Sequence, residues 1–171
     1  MKKILTVALL TALMLTIAAS AMAATGVGVV GTMTTTAATA DKAGSASGYI
    51  YITAVTLDDE GKIAGVIFDA TQPAGSFDTT GAVVGEAVTE VVTKYDIKDG
   101  YGMKKASKIG KEWYEQMDAL SAWCIGKTPA EVIGMELDET GHPTDVDLVA
   151  GCTVHINDQL VALEKAVANA K

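Results

Sequence analysis

The chain has 171 residues, of which 13 are basic and 21 acidic, and its formal net charge is −8. It contains no arginine, and this balance excludes the basic surface with which proteins bind nucleic acid. The same charge argues against binding to anionic membrane surfaces.

The N-terminal residues predict a cleavable signal peptide over residues 1–23. Lys2 and Lys3 precede an apolar run from Ile4 to Ala19, and the letters AMA at 21–23 form the small-x-small pattern that signal peptidase recognises. The run is shorter than the roughly 20 residues of a membrane span, and no cysteine follows it to carry a lipid. We therefore expect a secreted, extracellular protein without a membrane anchor.

Residues 24–171 have the length of a single domain that can bury a sizeable core. Loss of Lys2 and Lys3 with the leader leaves 11 basic against 21 acidic residues, a net charge of −10. That charge favours solubility outside the cell.

The first half of the domain is predicted to be β-structure. The run Thr25–Thr36 is rich in Gly, Val and Thr and suits a strand, while the Ala-, Gly- and Ser-rich run Ala37–Gly48 predicts a loop or a sheet edge. The clearest strands are Tyr49–Leu57 and Ile63–Ala70, joined by a turn in which Gly61 supplies a positive φ. Alternating side chains on the first of them predict a sheet that is covered on both faces.

Gly26, Gly28 and Gly31 spell GxGxxG, the pattern of dinucleotide-binding loops. That motif requires a strand before it and a helix after it. Only the predicted cleavage site precedes Gly26, and a Thr-rich, strand-like run follows Gly31, so we do not predict a dinucleotide site here.

Three shorter features follow the hairpin. Pro73 is predicted to end the second strand, and Phe77–Gly81 reads as a turn. Val83–Thr93 is predicted to be a further strand or extended segment, because its β-branched residues outweigh its helix formers.

A long helix is predicted from Gly102 to Ile125, because apolar residues recur there at steps of three and four. The other side of its first half carries Lys104, Lys105, Lys108 and Lys111. These lysines indicate either an anionic ligand or a solvated face paired with glutamates. Trp113 and Tyr114 are candidates for stacking on a planar ligand, with core packing as the alternative.

The C-terminal part is predicted to be mostly helical. Thr128-Pro129-Ala130-Glu131 is a capping box that opens a short helix ending near Gly134. A strand is expected from Thr144 to Leu148, and a closing helix from Asn157 to Ala170. Strands followed by helices indicate an α+β fold, an antiparallel sheet packed by helices.

Cys124 and Cys152 allow one disulfide in an exported chain, or two buried thiols. The sequence does not decide between these states. With no CxxC and only the sparse pair His142 and His155, no metal site is predicted.

A strand-to-helix loop, Asp147–Thr153, reads DLVAGCT. The small residues Ala150 and Gly151 permit a tight bend and close backbone approach, and the hydroxyl of Thr153 follows them. A plain structural turn is the alternative interpretation.

DLVAGCT resembles a degenerate form of the flavinylation motif of the FMN-binding domain family. That motif has an acidic residue, two further residues, then Ser or Thr, Gly, Ala, and a final Thr or Ser. The matching positions are Asp147, Gly151 and Thr153, whereas Ala150 and Cys152 depart from the pattern. The likeness extends through YGMKKASKIGKEWYEQ, GKTPAEV and GHPTDVDL, which look like secreted Gram-positive relatives of this domain.

The resemblance implies an FMN-binding-domain fold and an FMN cofactor held by residues 147 and 150–153. In the family a flavin transferase joins FMN to the final hydroxyl through a phosphoester, and Thr153 is the residue that corresponds to this hydroxyl. The departures at Ala150 and Cys152 leave covalent attachment open. Relatives include the flavinylated C-type subunit of sodium-pumping NADH:quinone oxidoreductase. The implied function is that of a flavoprotein in extracytoplasmic electron transfer, served by a flavin transferase and a membrane redox partner.

The alternative is a secreted binding or surface module that kept the fold and lost the flavin. An independent enzyme is the less favoured interpretation, because the sequence shows no Ser-His-Asp order, paired-carboxylate motif or HExxH helix. We therefore predict a redox carrier and no catalytic residues.

Overall fold

The computed structural model describes residues 23–171, so nearly all of the predicted signal peptide, residues 1–22, lies outside the described residues. The strands are β1 (Ala24–Thr36), β2 (Gly44–Leu57), β3 (Ile63–Thr71), β4 (Ala74–Phe77) and β5 (Val83–Val84). The helices are α1 (Lys94–Ile97), α2 (Trp113–Cys124), α3 (Pro129–Ile133), α4 (Val146–Val149) and α5 (Asn157–Ala168), with 3-10 turns at Lys98–Tyr101 and Met103–Lys105.

Strand β2 is the centre of an antiparallel sheet. One of its edges pairs with β1 along its whole length, from Ala24 opposite Leu57 to Thr36 opposite Ser45. Its other edge is shared, because β3 pairs with the second half of β2 and β4 with the first four residues. Tyr49 lies at the fork between these two neighbours. A hollow of about 500 Å³ opens there, and Tyr49 forms part of its border.

The helices cover one face of the sheet. Helix α5 packs on β1 and β2, and α2 packs on β3. Apolar side chains from these elements form the core, among them Val55, Phe68, Met117, Leu120 and Leu163. An antiparallel sheet packed by helices confirms the predicted α+β class.

The opposite face of the sheet is only partly covered. Ile50 and Ile52 of β2 are half-buried there, whereas Val27, Val29 and Ile67 are 52%, 50% and 60% exposed. The expectation of cover on both faces was therefore wrong for this region. Alternation on β2 was predicted correctly, but it cannot tell whether a second layer exists.

Two glycines of β1 let α5 approach the strand backbone closely. A Cβ atom at Gly26 would lie 2.0 Å from the carbonyl oxygen of Ala166, and one at Gly28 would lie 2.0 Å from that of Ala162. Side chains cannot fit at such distances, so glycine is required here. Both residues lie within a strand, which explains this part of the GxGxxG pattern by packing.

Several predicted elements are confirmed. Gly61 has a φ of +75° in the turn between β2 and β3. Helix α3 begins with Pro129 after the Thr128 cap, and α5 begins at Asn157 as predicted and ends two residues earlier than expected. Helix caps and hairpin turns are local signals, which explains why they were found from sequence.

The predicted long helix from Gly102 to Ile125 is wrong in its first half. Gly102 and Gly110 adopt left-handed φ values of +74° and +63°, which interrupt any helix. The buried carboxylate of Glu112 accepts hydrogen bonds from the backbone N–H groups of Met103 and Lys104, at 2.8 and 3.0 Å. The segment before Trp113 is therefore a folded loop.

Two extended segments also differ from expectation. Val83–Thr93 was predicted as a strand or an extended segment, and within it the paired strand is Val83–Val84, followed by Gly85 with a φ of +88°. Phe77 belongs to β4, and the turn begins at Asp78. Residues 44–48, expected in a loop or edge, are the start of β2.

The strand predicted from Thr144 to Leu148 is a cap followed by a helix. Asp145 accepts hydrogen bonds from the backbone N–H groups of Asp147 and Leu148, at 2.9 and 3.2 Å, and so caps α4. An aspartate at this position favours a helix start, and the prediction overlooked it.

Within residues 23–171, no helix combines the length and the apolar character that crossing a membrane requires.

Candidate cofactor site

A cavity of about 260 Å³ lies between the helical layer and the loops that follow the sheet. Elements far apart in sequence border it, including β2 through Tyr49, α1 through Lys94, α2 through Gln116 and α5 through Gln159. Thr153 borders the same cavity. Its volume is close to the lower end, roughly 300 Å³, of small-molecule sites.

Thr153 is held in place by the side chain of Gln116. Its backbone N–H donates to Gln116 Oε1 over 2.8 Å, and its hydroxyl donates to the same oxygen over 3.3 Å. Because the hydroxyl uses its hydrogen in this bond, the lone pairs of its oxygen remain available for a ligand in the cavity.

Gln116 also fixes the loop that precedes α2. Its Nε2 donates to Ser107 Oγ over 3.2 Å and to the carbonyl oxygen of Lys111 over 3.3 Å. Gln116 is fully buried. A single amide therefore joins the loop carrying Thr153 to the loop on the other side of the cavity.

Three aromatic rings surround the ammonium of Lys94. The Nζ atom lies 4.4 Å from the ring centroid of Tyr101, 4.7 Å from that of Tyr49 and 5.0 Å from that of Trp113. We call these three rings the aromatic cage. Each distance is within the range of cation–π attraction, which partly replaces the hydration that Lys94 has lost.

Lys94 is buried with only 3% exposure, yet it forms no ion pair within residues 23–171. The described part of the chain forms ion pairs between Lys62 and Glu60 and between His142 and Asp138, and neither involves Lys94. Burial lowers the pKa of Lys94 to about 8, opposed in part by the carboxylate of Asp69. Strongly shifted groups beside a cavity are candidates for functional residues.

A second buried polar group faces no partner. The Oε1 atom of Gln159 has no hydrogen-bond donor among the described residues, and the side chain is 1% exposed. Gln159 borders the cavity that Thr153 and Lys94 border. A buried acceptor without a donor is costly, and a ligand with an N–H group would satisfy it.

Of the five residues predicted to bind the cofactor, Thr153 borders this cavity. Asp147 and Ala150 are exposed on α4 and just after it, and Cys152 is buried in the core. Gly151 lies against α2, where a Cβ would be 2.6 Å from the Cβ of Ala119. The close approach predicted at Gly151 is therefore present, but it serves packing against a helix.

Some residues of the lysine cluster and of the aromatic pair border the cavity, and others do not. Lys108 and Trp113 border the cavity, and Tyr114 does not. The Nζ atom of Lys111 lies 3.8 Å from the position that a Cβ on Gly151 would occupy, close to the loop that carries Thr153. His142 and His155 also border the cavity, with their ring centroids 6.3 Å apart.

Both cysteines are free and buried. The disulfide that the sequence left open is therefore not formed, and the alternative of two buried thiols is the observed one. Burial raises the pKa of Cys124 to about 12 and that of Cys152 to about 11. Residues 23–171 also contain no cluster of three or more His, Cys, Asp or Glu side chains able to hold a metal ion.

Sequence reasoning missed Lys94, Gln116 and Gln159. One local signal was present, because Thr93 and Asp96 form a capping box that starts α1 at Lys94. This box would have placed Lys94 on a helix, but not inside the protein. Its burial depends on Tyr49, which lies 45 positions earlier in the chain.

Comparison with known proteins gives a partial likeness. No family model and no solved structure matches the chain. A segment of 40 residues is 50% identical to a chlorophenol reductase of Desulfitobacterium hafniense, and it covers 23% of this chain and 12% of that protein. A match of this extent does not establish a family.

Proposed function

We propose that this protein is an exported FMN-binding protein that carries electrons outside the membrane. The observation that carries the proposal is that Thr153, the hydroxyl matched to the flavin-attachment position, opens onto a cavity together with the aromatic cage. Aromatic faces suit a planar ring, and a hydroxyl at the border suits a phosphoester.

The side chains around the cavity fit the two parts of FMN. Lys108 borders the cavity and Lys111 lies near Gly151, so both can offer positive charge to a phosphate beside Thr153. Trp113 and Tyr101 border the cavity and can contact the flavin ring. When bound, FMN supplies electron-transfer chemistry that none of these side chains has, while the protein binds and orients it.

Gln116 would position the attachment site. It holds both the backbone and the hydroxyl of Thr153, so the alcohol has a fixed orientation before any modification. A separate flavin transferase would join FMN to this oxygen, and a membrane redox partner would exchange electrons with the loaded protein.

The proposal predicts a yellow protein whose colour depends on Thr153. The chain should be exported from a host that contains a flavin transferase, and its visible absorption and intact mass measured. We expect a flavin absorption band and the added mass of covalent FMN in the native protein and in Thr153→Ser. Thr153→Ala should lose the added mass completely, because it has no oxygen to form the ester.

Thr80→Ala is the matched control, because Thr80 lies in the exposed turn between β4 and β5. It should keep the added mass. Added mass on Thr153→Ala equal to that of the native protein would show that the attachment position is wrong.

A secreted binding module that lost the flavin is the second candidate. The departures from the flavinylation motif at Ala150 and Cys152 favour it. A native protein that is colourless, unmodified and unable to bind added FMN would support this candidate and overturn the electron carrier.

A further inference from the structure

Lys94 has bonding capacity that the protein does not use. An ammonium has three hydrogens, and within the described residues its one hydrogen bond goes to the hydroxyl of Tyr49. A buried charge with so few partners is costly unless another acceptor is supplied. The cavity is the place from which such an acceptor can come.

Gln159 offers the complementary group on the same cavity. Gln159 borders the cavity, and its buried Oε1 has no donor within residues 23–171, which leaves it able to accept a hydrogen bond. A ligand that satisfies both residues presents a hydrogen-bond acceptor, such as a carbonyl oxygen, to Lys94 and an N–H group to Gln159. The dioxopyrimidine part of an isoalloxazine ring has both groups, whereas a phosphate ester has no N–H.

The position of Lys94 favours the ring of the cofactor over its phosphate. The aromatic cage encloses the ammonium and borders the cavity, so a planar ring bound there would lie beside Lys94 and aromatic side chains. Lys108 and Lys111 are the lysines placed for the phosphate. Lys94 is therefore the cation that we assign to the ring.

We propose that Lys94 and Gln159 recognise the flavin ring itself, and that Lys94 favours its reduced form. This inference rests on the proposed function. Reduction of a bound flavin by two electrons from the membrane redox partner and one proton from solvent would give the ring one negative charge, which a buried ammonium beside it would stabilise. The charged and titratable groups that face Lys94 are Tyr49, Tyr101 and the more distant carboxylate of Asp69.

The test compares FMN with riboflavin, which has the same ring but no phosphate. Protein made without a flavin transferase should be titrated with each compound, following the quenching of flavin fluorescence. We expect Lys94→Met to raise the dissociation constants of both compounds by the same factor, at least tenfold. The control is Lys108→Met, at an exposed lysine on the same cavity. It should raise the dissociation constant of riboflavin by less than twofold.

A second measurement reads the charge effect directly. The reduction potential of bound riboflavin should be measured at an electrode with dye mediators as the electron source. If Lys94 prefers the reduced ring tenfold, the potential in Lys94→Met should fall by about 30 mV for a two-electron couple. Gln159→Leu should weaken binding while changing the potential less, because it removes no charge.

Several outcomes would overturn the inference. If Lys94→Met weakens FMN but not riboflavin, Lys94 binds the phosphate. If it changes neither the affinities nor the potential, while the native protein binds flavin, this inference fails and the proposed function survives. If the native protein binds neither compound, both fail together. Circular dichroism and thermal unfolding should show that each variant is folded.

Discussion

Gln116 connects three parts of the site through one amide group. Its oxygen accepts from Thr153, and its nitrogen donates to Ser107 and to the carbonyl oxygen of Lys111. Burial makes these bonds matter, because a buried polar group that loses its partner has no water to replace it. The residue thus couples the stability of the fold to the orientation of Thr153.

Gln116→Leu should lower the free energy of unfolding by about 1–3 kcal/mol, since it leaves the N–H of Thr153 without its acceptor. It should also reduce flavin attachment, because the hydroxyl of Thr153 loses its fixed orientation. Urea unfolding and intact mass measure the two effects. The matched control is Ser121→Ala at another half-buried polar residue of α2, which should change neither quantity. Unchanged unfolding of Gln116→Leu would contradict this role.

Lys94 should make stability depend on pH above neutrality. Its pKa falls from the ordinary value, about 10.4, to about 8 because burial disfavours the charged form. Below pH 8 the folded protein carries the cost of a buried ammonium. Between about pH 8 and 10 the unfolded chain binds more protons than the folded one, so the free energy of unfolding should rise with pH.

Lys94→Met should remove that rise and be more stable than the native protein at pH 7, by roughly 1–3 kcal/mol. Urea unfolding of both proteins at pH 7, 8 and 9.5 measures the difference, which should shrink as pH increases. Both proteins contain the same tyrosines, so the contribution of tyrosine titration cancels when their free energies of unfolding are subtracted. A difference independent of pH would show that folding does not shift the pKa of Lys94.

Thr153 could be singled out from the sequence and Lys94 could not, for the same physical reason. Thr153 belongs to a continuous motif, so its neighbours in sequence identify it. Lys94 is functional in our proposal only because Tyr49, Tyr101 and Trp113 surround it, and these come from separate elements. No local pattern encodes that arrangement.

At the scale of elements, β1 and α5 make a close backbone contact. Gly26 and Gly28 lie under the backbone at the α5 side of the sheet, where Lys165 of α5 and the following Asn169 donate to the carbonyl oxygens of Val29 and Val27. The helix therefore sits on the edge strand through backbone contact and hydrogen bonds.

Gly28→Ala should destabilise the protein by at least about 1–3 kcal/mol, because its Cβ would lie 2.0 Å from the carbonyl oxygen of Ala162 and force α5 outward. Gly75→Ala in β4 is the control, since nothing lies within 4 Å of its Cβ position. It should change stability by less than about 0.5 kcal/mol. Thermal unfolding of the two variants measures this, and equal melting temperatures would argue against the contact.

Elements with a regular repeat were predicted well, and elements made by tertiary contacts were not. Alternation and turn residues located β2 and β3, whose hairpin is a local structure. The apolar spacing before Trp113 predicted helix, but Gly102, Gly110 and the carboxylate of Glu112 fold that stretch into a loop. Helical spacing alone cannot reveal such a competing set of hydrogen bonds.

At the scale of the whole molecule, the two ends of the described chain meet. The N–H of Thr25 donates to the carbonyl oxygen of Lys171 over 3.3 Å. In return, the N–H of Lys171 donates to the carbonyl oxygen of Thr25 over 3.4 Å. Adjacent ends of this kind allow a domain to be circularly permuted.

A permutant of residues 24–171 should fold when the old ends are joined by a short Gly-Ser linker and new ends are opened between Asp59 and Glu60. These residues lie in the exposed turn between β2 and β3. Far-UV circular dichroism and cooperative thermal unfolding are the measurements. Opening the chain between Val55 and Thr56, inside β2, is the control that should not fold, and failure of both would contradict the prediction.

Tyr49 stands at the fork of β2 and borders two hollows at once, the candidate cofactor cavity and the opening between β3 and β4. One phenol ring thus lines both spaces. Replacing it by a small side chain should enlarge the two hollows together. A change at this single residue would therefore alter the cofactor cavity and the fork of the sheet at the same time.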